Sequence, residues 1–193
     1  MNPTPLRFRI AIWAWLIAAL LVGKYSLLQR LPVPAVQGVL FGLTAICLLL
    51  YFKVSGPRAW IDQLDLRALV LLHVTRFVGC YFLLLYRRGE LPYAFAVPGG
   101  WGDIVVATLA LPVGLWPMTD STRRRAITIW NVVGFVDIMM VVIAAARLGL
   151  QGNQQMRALT TLPLSLLPTF LVPAIIATHV IIFVRLRRES VPA

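Results

Sequence analysis

The sequence predicts an all-α integral membrane protein of six transmembrane helices with both termini in the cytoplasm. Three observations predict it. Hydrophobic residues fill 60% of the 193 positions and charged residues only 13%, with a mean hydropathy of +0.83, whereas a soluble domain carries about 25% charged residues. The charges fall between long apolar runs, as in polytopic membrane chains. The basic residues also divide unevenly between alternate loops. The spans use up the length, so a single transmembrane domain over residues 1–193 is expected.

The first span is read over residues 10–28. Arg7 and Arg9 before an apolar run resemble the start of a signal peptide, but no small-x-small cleavage pattern follows. The span is therefore expected to stay uncleaved, with Lys24 snorkelling to the interface. Pro32 and Pro34 end this region. The second span covers residues 36–52 and carries Gly38 and Gly42 in a G-x-x-x-G, the spacing that lets helix backbones approach closely. In the polar stretch after it, Pro57, Trp60, Ile61 and Leu64 predict a short amphipathic helix at the interface.

The third span, residues 68–86, organises the chain because His73 and Arg76 lie inside it. After it, residues 91–103 are apolar but hold two prolines and three glycines. That composition predicts an interfacial or re-entrant segment rather than a straight helix, with Asp103 as the helix cap or re-entrant site that opens the fourth span. The remaining spans are read at 101–116, 126–146 and 162–184, the last interrupted by Pro163, Pro168 and Pro173.

With the N-terminus inside, eleven Lys and Arg lie on the cytoplasmic side and five on the other, Lys24 and Arg76 being intramembrane. The positive-inside rule then puts both termini in the cytoplasm. The net charge of +11 follows the span ends, so the expected partners are the bilayer and its anionic headgroups, not nucleic acid. A chain this short is also expected to form a homo-oligomer if it encloses a transport path. Cys47 and Cys80 lie within apolar runs and give no disulfide framework.

Ionisable groups inside a bilayer are costly and face the bundle interior or a cavity. Four stand in these spans: His73, Arg76, Asp137 and His179. Arginine keeps its proton and needs a partner in lipid, and Asp137 lies at comparable depth. An intramembrane polar site of Arg76, Asp137 and Asn131 is therefore expected. His73 lies six residues past Arg67, and His179 six before Arg185. Both are thus about 9 Å from the cytoplasmic end. Histidines at one depth on antiparallel helices are possible haem or metal ligands, with haem b as the possible cofactor; two are too few for a closed zinc site. Hydrogen bonding of each ring to a neighbouring helix is the plainer alternative. Ser165 and Thr169 lie near the face of the last span that carries His179.

No Ser or Cys stands with a histidine in a hydrolytic arrangement, and no catalytic motif is present, so the sequence favours a non-enzymatic protein. It supports a small-solute or ion permease or a membrane scaffold built around Arg76 and Asp137. The alternative is a b-type cytochrome using His73 and His179.

The segments Leu91-Pro92, Phe95-Ala96, Pro98-Gly99-Gly100-Trp101-Gly102-Asp103 and Trp130-Asn131, Gly134, Asp137 resemble a pattern found in small polytopic bacterial inner-membrane proteins. The resemblance covers most of the chain from the third span onward. It implies a multi-pass protein of the bacterial inner membrane and no particular activity.

Overall fold

The structure, a computed structural model, describes residues 5–188. All regular structure among them is helical: α1 (Leu6–Lys24), α2 (Val33–Lys53), α3 (Ser55–Gln63), α4 (Leu66–Leu72), α5 (Val78–Arg87), α6 (Tyr93–Leu115), α7 (Asp120–Leu150) and α8 (Val172–Arg188), with short 3-10 and π turns between some of them. Six helices are long and apolar enough to cross a membrane: Leu6–Lys24, Val33–Lys53, Leu66–Arg87, Tyr93–Leu115, Asp120–Leu150 and Leu167–Arg188. By length and composition this is a multi-pass membrane protein.

Two compact units divide the described residues, 5–64 with 146–177, and 65–145 with 178–188. In the first, the Trp15 indole N–H donates to the Thr169 carbonyl at 2.8 Å, and its ring meets Phe170 edge-on. The expected short helix is α3. It is tied back by a hydrogen bond from the Tyr51 hydroxyl to Asp62 at 2.8 Å and by stacking of Trp60 on Phe8. A Cβ added at Gly38 or Gly42 would meet nothing within 4 Å, so among the described residues neither glycine of the G-x-x-x-G makes the close approach that its spacing permits. Ser165 and Thr169 belong to this unit, where the Thr169 hydroxyl donates to the Ser165 carbonyl.

The second unit holds α4, α5 and α6, most of α7 and the end of α8. Asp65 caps α4: its carboxylate accepts from the Arg67 backbone N–H at 2.8 Å and from Arg67 Nε at 2.7 Å. The Arg67 side chain, helped by the amide, holds this carboxyl below the usual carboxylate range. Asp65 lies outside the spanning segments. A depressed folded value means that its contribution is present above the ordinary carboxylate pKa and is lost as pH falls through the folded one. Asp65→Ala is expected to cost about 0.5–2 kcal/mol at neutral pH, and the gap to the unmutated chain narrows in acid. Unfolding midpoints across an acid series check this; a gap that ignores pH counts against it.

Between α4 and α5 the third span tightens into a 3-10 turn over His73–Phe77. With three residues per turn, side chains at i and i+3 eclipse, so His73 and Arg76 leave the backbone in nearly the same direction.

The segment expected to break is continuous. Residues 93–115 form one helix with Pro98 and Pro112 inside it, so the chain does not fold back before residue 101, and the helix that carries the fourth span begins at Tyr93. Without water to satisfy freed backbone groups, a spanning segment holds its helix through prolines that would end it in a soluble protein. The glycines serve packing. A Cβ on Gly79 of α5 would overlap the Gly100 carbonyl oxygen of α6, and one on Gly100 would lie 2.9 Å from the Gly79 carbonyl oxygen. The helix that carries the fifth span likewise runs beyond 126–146, because Asp120 to Arg125 continue it, with Asp120 in the first turn where the dipole favours a carboxylate.

Candidate functional site

Arg76, Asp103 and Asp137 come from the middles of three helices of the second unit. Arg76 is wholly buried on the 3-10 turn, and Asp103 keeps 4% and Asp137 21% of its side chain exposed. Arg76 Nε donates to Asp103 Oδ1 at 2.7 Å, Nη1 donates to the Gly134 carbonyl at 3.0 Å, and Nη2 donates to Asp137 Oδ2. All three guanidinium nitrogens are thereby engaged, as a charge taken out of water requires.

Asp103 is a member of this cluster and not the cap of a broken segment: it lies in the eleventh position of the 23-residue α6. The breakers around it mislead in the sequence. Once 93–115 is taken as one helix, Asp103 falls at mid-helix, where Arg76 also lies in its own span, and that count is the signal that finds it. Gly102 belongs to the same construction, because a Cβ there would collide with the Asp137 carboxylate.

His73 and His179 stand in ring contact, their centroids 4.2 Å apart, and both are fully buried. Trp130 packs edge-on against His73 at 4.9 Å and donates its indole N–H to the Val106 carbonyl at 3.0 Å. Asn131, also fully buried, donates Nδ2–H to the His179 carbonyl at 3.1 Å, and its Oδ1 lies 2.7 Å from His179 Nδ1. His73 Nε2 lies 3.1 Å from the Thr178 hydroxyl. The other two ring nitrogens, His73 Nδ1 and His179 Nε2, are buried with no hydrogen-bond partner. Asn131 thus serves the histidine, while the partner that joins Arg76 and Asp137 is Asp103.

Ligation of haem by facing histidines puts the macrocycle between the two rings. Rings in contact at 4.2 Å leave no slot there, so the pair as folded does not fit the haem b expected from matched depth. Among the described residues no group of three or more His, Cys, Asp or Glu could hold a metal ion.

A family profile, that of a domain of unknown function (DUF8737), matches residues 33–187. No curated protein and no solved structure matches the chain.

Proposed function

We propose that this chain, which belongs to the DUF8737 family, is an ion permease of the bacterial inner membrane, with both termini cytoplasmic and anionic lipid headgroups around its basic span ends. The observation that carries the reading is the charge count of the buried cluster: one guanidinium faces two carboxylates. A structural ion pair needs one of each. The second carboxylate leaves the site one negative charge in excess, and a buried net charge is costly. One additional cation balances it. Asp137, the more exposed of the two carboxylates, is the natural place for that cation to enter.

A second reading, a membrane scaffold, is favoured by one feature. The same cluster ties α6, α7 and the 3-10 turn together beside the tight Gly79–Gly100 contact, which suits a device for helix register. Proteoliposomes separate the two. Under imposed gradients of pH, NaCl and KCl, read by lumenal dyes, the purified protein is expected to dissipate at least one gradient. Asp103→Asn or Asp137→Asn is expected to return that rate to the level of protein-free liposomes. If all three gradients hold with the unmutated protein, the permease reading fails and the scaffold stands.

A further inference from the structure

We infer that the permeant ion is the proton and that the His73–His179 pair is its relay, with His179 Nε2 as the accepting atom. This rests on the ion-permease reading and names its ion.

The tautomer of His179 follows from its neighbour. Asn131 spends its amide N–H on a backbone carbonyl, which can only accept. Its Oδ1 therefore faces the ring and can only accept in turn. The proton of the neutral imidazole must then sit on Nδ1, leaving Nε2 a bare lone pair. That lone pair is buried and meets no donor. A polar atom left so inside a protein costs about 1–3 kcal/mol. His73 repeats the arrangement: one nitrogen is held by Thr178 and the other, Nδ1, is buried without a partner. Two rings in contact, each with an unspent nitrogen, are an unusual thing to bury unless something visits them.

The visitor must be small. A metal ion between the rings has no room at a 4.2 Å centroid separation and finds no group of three His, Cys, Asp or Glu to complete its coordination among the described residues. A proton needs neither room nor further ligands. The surroundings also supply the balancing charge. The charged groups of the cluster are Arg76 from the 3-10 turn, Asp103 from α6 and Asp137 from α7. The ring neighbours Trp130, Phe135, Asn131 and Thr178 are uncharged. Gly134 joins the two clusters. Its carbonyl takes the Arg76 N–H, and an added Cβ would lie 2.8 Å from His179 Cε1 and 3.2 Å from Nε2. One residue thus separates the imidazole from the guanidinium and its two carboxylates. Uptake forms a single N–H bond at His179 Nε2 and brings the site from one excess negative charge to neutrality. Release of one proton restores the neutral ring, and no electron moves. Chains of Asp and His inside membranes carry protons in this way.

The test is proton entry into proteoliposomes loaded with pyranine and driven by a valinomycin potassium potential, beside sodium and potassium uptake read in separate proteoliposomes without valinomycin. The unmutated protein is expected to pass protons, and His179→Gln and His73→Gln to lose that flux to the level of protein-free liposomes. Nitrogen-15 spectra of histidine-labelled, unmutated protein give a readout independent of the variants' folding. His179 is expected as the Nδ1–H tautomer, with an imidazolium signal growing as pH falls. Sodium or potassium flux without proton flux overturns the inference and spares the ion-permease reading, whereas no flux of any ion overturns both. Proton flux that survives both substitutions, or a His179 that carries its neutral proton on Nε2, removes the relay.

Discussion

Arg76→Leu is expected to destabilise the protein by about 3–5 kcal/mol, the cost of leaving a buried charge without its partner. Three acceptors lose their donor at once: Asp103, Asp137 and the Gly134 carbonyl. The loss is not shared equally. Asp103 keeps 4% of its side chain exposed, whereas Asp137 keeps 21%, so Asp137 can recover some solvation and Asp103 cannot. In the leucine background, Asp103→Asn is therefore expected to restore more stability than Asp137→Asn, and all three changes together more than either. Unfolding in mixed micelles, followed by tryptophan fluorescence, measures each step. Residues in one network couple strongly, so the double variants deviate from additivity. An Arg76→Leu protein within ~0.5 kcal/mol of the unmutated chain, the range of an ordinary surface change, ends the argument that this cluster holds the bundle.

The sequence carries most of this architecture because the bilayer imposes simple rules. Apolar length identifies the six spans, and α3 follows from Trp60, Ile61 and Pro57 among polar neighbours. The burial of Arg76 follows from the need of a permanent charge for a partner at its own depth. Depth is legible because residues advance regularly along a helix; direction around the helix is much less so. Matching heights bring His73 and His179 together, but only the folded geometry shows their rings touching and Asn131 holding one of them. Direction decides the glycines too. Gly38 and Gly42 have the spacing of a seam and face nothing within 4 Å among the described residues, whereas Gly79 and Gly100, on different helices and without a shared motif, meet backbone to backbone. Asp103 was hidden for a different reason. Pro98, Gly99, Gly100 and Gly102 punctuate a chain in water, but in a spanning helix they permit close approach, so the carboxylate sits inside the helix they seem to end.

That close approach yields the second large effect. Gly79→Val is expected to cost about 3 kcal/mol, the upper end of overpacking. The added Cβ would overlap the Gly100 carbonyl oxygen and lie 2.8 Å from the Asp103 Cβ. The first of these atoms is backbone and cannot turn aside, so α5 and α6 must separate. Helix propensity pulls the other way, since residues other than proline gain up to about 1 kcal/mol over glycine in a helix interior; the steric term is the larger. Gly38→Ala and Gly42→Ala isolate the propensity term, because their new methyls meet nothing within 4 Å, and both are expected to leave stability unchanged or raise it slightly. The valine also pushes on the residue that carries the Asp103 carboxylate, so under the permease proposal ion flux is expected to fall along with stability. Suppressing Gly79→Val by a second change is informative here. If a smaller residue in place of Leu83, whose side chain lies 3.0 Å from a Cβ built on Gly100, restores folding but not flux, the distance between α5 and α6 sets the geometry of the cluster as well as the packing of the bundle. A Gly79→Val protein as stable as the unmutated chain means that these two helices do not pack through their glycines, and the placement of Asp103 against Arg76 falls with them.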